Sequence, residues 1–225
     1  MFHVLCRIVG IPTLRDTECI IIVIHKKLKM SIGSFISSAI ENLQKNRDDV
    51  ALSLVCSAVD ATSAKLYPEL KVGERYKKFL KNSMRIITTY GFPGITASGI
   101  SIKCHNLPSI KTNHEGHTDI ENILYHIIRC SLIHQCEIDK RIEFVPYTHI
   151  GDFDEKFRIP DSLVIGLLIA VVLSKCNINE KLDQDYVLTL EKESININQL
   201  WGKFEDFKVN RINRQVTSKH GKPTS

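Results

Sequence analysis

The hydrophobic pattern of the chain predicts a protein built mainly from amphipathic helices. Apolar residues recur every three or four positions in several stretches, which is the spacing of one helix face. Pro68 and Gly91 close two of these stretches, and Thr118 and Glu121 have the spacing of a capping box at the start of another. The pattern predicts helices over residues 34–44, 48–67, 72–91, 118–134 and 163–175.

The second predicted helix has two faces of different character. Leu54 and Val55 belong to its apolar face, whereas Ser57, Asp60 and Ala64 lie on the opposite face, which is small and polar. Because small side chains allow two helix axes to come close, we expect this second face to pack against a neighbouring helix. Asp60 would then lie at a contact between helices.

Two stretches depart from helical spacing and predict a small amount of β structure. Residues 92–117 are expected to be a loop with one short strand near "GISIKC", and residues 140–160 a small hairpin that turns at Gly151-Asp152. With the helices, these elements predict a mostly α fold, an antiparallel helical bundle with a small β-hairpin insertion.

The composition of the chain changes at two points and predicts three segments. Residues 1–29 contain β-branched runs without a helical period, whereas Met30 begins a clean amphipathic stretch. We therefore expect Met30 to be the natural start, with residues 1–29 an N-terminal extension that either comes from an upstream start or packs poorly. Residues 30–207 are expected to form the helical domain, and residues 208–225 a basic, disordered tail.

Composition and charge narrow the class of protein. The chain has 225 residues, is 43% hydrophobic and has a net charge of +5, which permits an anionic partner such as RNA. Its seven cysteines include no CxxC motif and are expected to be reduced thiols. The strongest apolar run, from Leu163 to Leu173, is far shorter than the roughly 20 residues of a membrane span. We therefore expect a cytoplasmic protein without a membrane contact.

The candidate chemistry lies in "YHIIRCSLIHQCEID", where Arg129 and His134 stand in an apolar run with four residues between them. The pattern alone is weak, because Arg214 and His220 nearly repeat it in the tail. Arg129, however, falls late in a predicted amphipathic helix. A buried arginine needs a carboxylate partner, and Asp60 is a plausible one.

This motif in its helical context resembles the HEPN superfamily. Besides "RCSLIH", the phrase "ALSLVCSAVDATSAKLYP" followed by "VGERYKKFL" is similar to helices of uncharacterised bacterial members, and the resemblance covers roughly residues 31–200. It implies a HEPN-like bundle that forms a homodimer with facing motifs. It also implies a metal-independent endoribonuclease, acting as a toxin with a nucleotidyltransferase-like antitoxin or in phage defence.

The residue types suit this chemistry. Metal-free RNA cleavage uses the ribose 2′-hydroxyl as the nucleophile, so His134 could move the proton and Arg129 could stabilise the charge on the phosphate oxygens. Asp60 would orient Arg129. Residues five apart on a straight helix point about 140° away from each other. Arg129 and His134 can therefore meet at one phosphate only at a helix end or kink, or across a dimer axis.

Two other interpretations compete for these residues. In the first, Arg129 pairs with Asp60 or Glu121 to fix helix packing, and His134 caps the helix end. In the second, a metal is bound by side chains from a set of one cysteine and five histidines. His114 and His117 have the spacing of a ligand pair, but no second pair in the set has a familiar spacing. The set is Cys104, His105, His114, His117, His126 and His134. We expect neither a metal nor a cofactor, since no phosphate loop or HExxH motif is present.

The stretch "VGERYKKFL" predicts an RNA-binding patch. Arg75, Lys77 and Lys78 lie close together there, interleaved with Tyr76 and Phe79. The alternative is a solvated helix face above an apolar stripe. The sequence thus favours a HEPN-type endoribonuclease, and the alternative is a non-catalytic module that binds RNA, a nucleotide or a protein partner. A purely structural helical bundle without a ligand is the third possibility.

Overall fold

The computed structural model describes residues 30–92, 95, 97–107, 110–126, 139–190 and 193–204. Arg129, His134, the first 29 residues and the basic tail lie outside this range. The helices are α1 Ile32–Gln44, α2 Asp48–Leu66, α3 Val72–Gly91, α4 Ile120–Leu124 and α5 Leu163–Leu173. The strands are β1 Ser101–Lys103, β2 His117–Asp119, β3 Ile142–Val145, β4 Gly151–Phe153, β5 Lys156–Pro160, β6 Val187–Leu190 and β7 Glu193–Asn196. Short 3-10 helices cover Lys175–Asn177 and Ile197–Gln199.

The long helices begin and end where local chemistry allows. α1 starts two residues earlier than its apolar pattern predicts, because Ser31 and Ser34 form a reciprocal cap. The Ser34 N–H donates to the Ser31 hydroxyl at 3.1 Å, and the Ser31 N–H donates to the Ser34 hydroxyl at 2.9 Å. The predicted bounds of α2 and α3 agree with the structure to within a residue.

Helix α5 is the centre of the core. Its sequence is apolar on all sides, and a helix of this kind has to be covered by other elements. The structure buries α5 along almost its whole length, in contact with α2 and α3. No helix of the described residues is both long enough and apolar enough to cross a membrane.

The crossing of α3 and α5 brings their backbones into near contact. A methyl group built on Gly166 of α5 would lie 2.4 Å from the carbonyl oxygen of Ile87 and 2.9 Å from the amide nitrogen of Gly91. No Cβ atom is tolerated at such a distance from backbone. The Ser162 hydroxyl, just before α5, donates to the Gly91 carbonyl at 2.9 Å and fixes the same crossing.

The carboxylate of Glu180 links the first two helices to the segment that follows α5. The Gly33 N–H, in the first turn of α1, donates to Oε2 of Glu180 at 2.9 Å. Lys65, at the end of α2, donates to Oε1 of Glu180 at 2.8 Å. Glu180 follows α5 in the sequence, so this side chain ties α1 and α2 to the segment after the central helix.

The predicted fold class is wrong. The described residues form a mixed structure with three small sheets, not a mostly α HEPN-like bundle with one hairpin insertion. β1 pairs with β2 and β6 with β7, both antiparallel, while β3, β5 and β4 form a three-stranded sheet in that order. The β3–β5 pair is parallel, and the β4–β5 pair is antiparallel. Strands of three to five residues show too few alternations to predict a pairing from the sequence.

Two local predictions also fail for identifiable reasons. Gly151 and Asp152 lie in β4, and the hairpin turns later, where Asp154 has a φ of 52°. The Asp152 carboxylate accepts the backbone N–H groups of His105 and Asn106 and is used there instead of in a turn. Thr118 is buried in β2, so it does not form a capping box with Glu121.

We predict that Gly166→Ala destabilises the protein by about 2 kcal/mol or more, because its new methyl group would push backbone atoms of α3 apart. The free energy of unfolding in urea measures this change. Gly73→Ala in α3 is the matched control, since a Cβ there would meet the movable hydroxyl end of Tyr125. An equal loss in the two variants would contradict a backbone contact at Gly166.

Candidate functional site

The predicted catalytic residues are divided by the structure. Arg129 and His134 lie outside the described residues, whereas Asp60 lies in the middle of α2. Asp60 Oδ1 accepts from Nη2 of Arg75 at 3.2 Å, and the two side chains are 26% and 21% exposed. The structure thus gives Asp60 an arginine partner from α3. A carboxylate accepts several hydrogen bonds, so this ion pair is compatible with a second donor to Asp60.

The Asp60–Arg75 ion pair lies in a cleft between α2 and α3. The cleft has a volume of about 280 Å³ and is otherwise lined by the small residues Ser57, Ala61 and Ala64. Nε of Arg75 is buried and has no hydrogen-bond partner among the described residues. The small face of α2 therefore opens onto the guanidinium instead of being filled by bulky side chains.

The two predicted RNA-binding lysines, Lys77 and Lys78, line a second groove between α3 and the start of α4. Lys77 Nζ lies 5.7 Å from the centre of the Tyr125 ring, and Lys78 Nζ lies 4.5 Å from that of Tyr67. Contacts of this kind position an ammonium group while leaving part of it in water. The groove has a volume of about 260 Å³, and its lining residues are Lys77, Lys78, Lys81, Asp119, Glu121 and Asn122. We call it the α3–α4 groove.

Aromatic side chains hold the end of α4 against α3. The rings of Tyr125 and Tyr76 meet edge to face with their centres 5.7 Å apart. The Tyr125 hydroxyl lies over Gly73, where a larger residue would meet it at 2.8 Å. The next residue, His126, meets Tyr125 edge to face at 5.3 Å. The chain therefore leaves α4 beside the basic half of α3, three residues before Arg129.

His126 is a partly buried imidazole close to cationic side chains. Burial lowers the pKa of its imidazole below the ordinary value, and the positive charges of Lys77 and Lys111 lower it further. The ring is therefore neutral near pH 7 and close to cationic groups. The sequence interpretation placed His126 only in a metal set. Its position within the predicted helix of residues 118–134, which includes Arg129 and His134, is the signal that could have identified it.

Glu121 is a buried acid within the α3–α4 groove. The residue is only 6% exposed. Burial raises the pKa of the carboxyl above its usual value, the charge of Asp119 acts in the same direction, and Lys81 opposes them. The sequence interpretation treated Glu121 as a capping residue or a partner of Arg129, so its place under the lysines was missed.

The described residues do not bring the alternative metal ligands together. Within them, no group of three or more His, Cys, Asp or Glu side chains could hold a metal ion. His114 is 89% exposed and lies 3.8 Å from Glu115, whereas the His105 ring packs on Gly116. Burial, with the charge of Asp152, raises the pKa of the Cys104 thiol to about 11. That thiol therefore stays protonated at neutral pH, which disfavours metal binding.

A mixed fold with helices around a buried central helix and with small peripheral sheets thus presents an ion-paired cleft and a lysine-lined groove on α3. The chain belongs to the Rv1289 family, whose model matches residues 31–220. Similar proteins include Rv1289 of Mycobacterium tuberculosis and Mb1320 of Mycobacterium bovis, both described as uncharacterized. Each is 28% identical over 188 residues, which cover 80% of this chain and 87% of the relative. No solved structure matches the chain.

We predict that Glu121→Gln changes how stability depends on pH. Because the pKa of Glu121 is raised in the folded state, that state binds the proton more tightly than the unfolded chain does. The wild type should therefore lose stability as pH rises from about 4.3, the ordinary glutamate value, through the folded pKa, whereas the glutamine variant should lack this loss.

Urea unfolding at pH 4 and pH 7 measures the effect as a stability difference between variant and wild type that grows in favour of the variant with pH. Glu69→Gln is the control, because Glu69 is an exposed glutamate. Parallel pH profiles for all three proteins would show that Glu121 does not carry the predicted penalty.

Proposed function

We propose that this protein is a metal-independent endoribonuclease that uses an Arg-x4-His pair in the manner of HEPN proteins, with RNA bound along α3. The observation that carries the proposal is the position of the α3–α4 groove. Three lysines, Lys77, Lys78 and Lys81, line the groove. Its other wall is the start of α4, and Arg129 and His134 follow five and ten residues after the end of that helix in the sequence.

The proposed reaction is a transesterification within RNA. The 2′-oxygen bonds to the adjacent phosphorus and gives up its proton to His134, while the bond from phosphorus to the 5′-oxygen breaks. A proton returned to that 5′-oxygen completes the step and leaves a cyclic phosphate on one fragment. Arg129 binds the non-bridging oxygens, on which negative charge accumulates. His126, neutral and next to Lys77, is a second imidazole available for the proton transfer.

The Asp60–Arg75 ion pair supports an orienting role in this proposal. Asp60 holds the Arg75 guanidinium and would also orient Arg129 through its carboxylate. Because the charge of Arg75 is compensated by Asp60, we expect phosphate binding to depend more on Lys77 and Lys78 than on Arg75. The sequence prediction, by contrast, treats these three cations as equivalent RNA-binding residues.

The proposal includes a homodimer in the cytoplasm. The angle of about 140° between side chains five residues apart on a helix keeps one Arg129 and one His134 from facing a single phosphate on a straight helix. A two-fold axis would bring the motifs of two chains together. A nucleotidyltransferase-like antitoxin is the partner that the HEPN resemblance suggests, with a role as a toxin or in phage defence.

A non-catalytic module that binds RNA, a nucleotide or a protein is the second candidate. It is favoured by the carboxyl groups of Asp119 and Glu121 in the groove and by the compensated charge of Arg75. These features weaken the positive potential that a cleavage site for RNA would use.

We predict that the purified full chain cleaves single-stranded RNA in the presence of EDTA, and that Arg129→Ala and His134→Ala each reduce the rate by about 100-fold or more. Gel analysis of end-labelled RNA measures the rate. The tail offers matched controls, since Arg214→Ala and His220→Ala remove the same residue types from a similar spacing.

The outcomes separate the two candidates. Cleavage lost only in the Arg129 and His134 variants supports the nuclease. RNA that is bound but left intact by the wild type, in its free form and after release from any partner, supports the non-catalytic module. Cleavage that EDTA abolishes would contradict a metal-independent mechanism.

A further inference from the structure

We infer that the α3–α4 groove is a binding site for a phosphate of the RNA backbone, and that Glu121 sets the pH at which it binds. The inference rests on the proposed function only for the identity of the polyanion. It adds Lys81, Glu121 and a pH dependence to the two lysines that the sequence had selected.

Three lysines line the groove from α3. Residues 77, 78 and 81 fall within about one helical turn, and each of them contributes to the groove lining. Tyr125 and Tyr67 position the first two through ring contacts. Ammonium groups that donate from several directions suit a tetrahedral oxyanion, which accepts on all sides.

Glu121 lies on the buried side of the groove. The groups that line the groove with it are Lys77, Lys78 and Lys81 from α3, and Asp119 and Asn122 from the start of α4. When Glu121 is ionised, its charge and that of Asp119 offset most of the charge of the three lysines. When Glu121 is protonated, only the exposed Asp119 opposes them, and the carboxyl gains a hydrogen-bond donor.

The state of Glu121 therefore decides how strongly the groove attracts a phosphate. Burial already favours the protonated form of this carboxyl, since its pKa is raised. An incoming phosphate adds negative charge next to Glu121 and favours that form further. Binding of phosphate and binding of a proton to Glu121 are thus mutually reinforcing. The volume of about 260 Å³ fits a phosphate-bearing unit better than a large organic ligand.

The test measures binding of a fluorescent oligothymidylate by anisotropy, at constant ionic strength, between pH 5 and pH 8. This probe lacks the 2′-hydroxyl and cannot be cleaved by the proposed reaction, and its phosphodiesters keep their charge over this range. The wild type should bind more tightly at the acidic end. Glu121→Gln, whose amide always donates, should bind at pH 8 about as well as at pH 5.

Lys81→Gln should weaken binding about tenfold at pH 6, the loss expected for one charge-assisted hydrogen bond. Arg85→Gln is the matched control, because Arg85 is an exposed cation one turn further along α3 and does not line the groove. We expect it to weaken binding less than about twofold. Thermal unfolding of each variant verifies that it is folded.

Each outcome decides a separate point. Equal losses in Lys81→Gln and Arg85→Gln would overturn the groove as a site and indicate general surface charge. A wild-type pH slope retained in Glu121→Gln would overturn the role of Glu121. Competition by a nucleoside monophosphate as strong as by the oligonucleotide itself would assign the groove to a free nucleotide instead of a backbone phosphate. If Lys81→Gln still cleaves RNA, the proposed nuclease activity stands independently of the groove. If the wild type binds the probe in the groove but does not cleave RNA, the groove proposal stands and the nuclease proposal fails.

Discussion

The crossing of α3 over α5 is the constraint on which the rest of the structure depends. Gly166 and Gly91 let the two backbones come so close that neither helix can rotate without a clash. The rotation of α3 about its axis is thereby fixed, with Phe79, Leu80 and Met84 buried toward the core. Lys78, Lys81 and Arg85 are left at the surface. The packing of small residues in the core thus decides which side of α3 faces the solvent and the groove.

On the exposed side of α3, acidic side chains partly compensate the positive charge of the cations. Asp60 compensates Arg75 on one side of the helix, and Asp119 with Glu121 lies opposite the lysines on the other. A surface of this kind has a modest field, consistent with the net charge of +5. Selectivity then has to come from the positions of individual groups, such as lysines held over tyrosine rings, more than from total charge.

The sequence predicted the long helices well and the sheets poorly, for physical reasons. α2 and α3 carry a sustained apolar period and end at Pro68 and Gly91, so their bounds follow from local chemistry. β6 and β7 were missed, because four-residue strands offer too few alternations to recognise. The parallel pairing of β3 with β5 depends on contacts that no local pattern contains.

The candidate site shows the same division. Lys77 and Lys78 were selected because they cluster with Arg75 among interleaved aromatic residues, and the structure places the two lysines in one groove. Glu121 was assigned to a cap because its spacing fits one, but β2 takes Thr118 into the sheet and turns Glu121 under the lysines. Lys81 follows directly after the selected segment, which ends at Leu80. Burial and the partner across a groove are tertiary properties, so the sequence could not supply them.

The contacts of the Glu180 carboxylate affect the order in which parts of the chain can fold during synthesis. It accepts the N–H of Gly33, 147 residues earlier in the sequence, and the ammonium of Lys65. During synthesis from the N-terminus, α1 and α2 leave the ribosome long before Glu180 exists. Until then they lack both this acceptor and the cover of α5. Contacts of such sequence separation slow folding and leave apolar surface exposed in the interval. The nascent chain therefore depends on its last third to complete its first helices, and we expect truncated products to be substrates for chaperones and proteases.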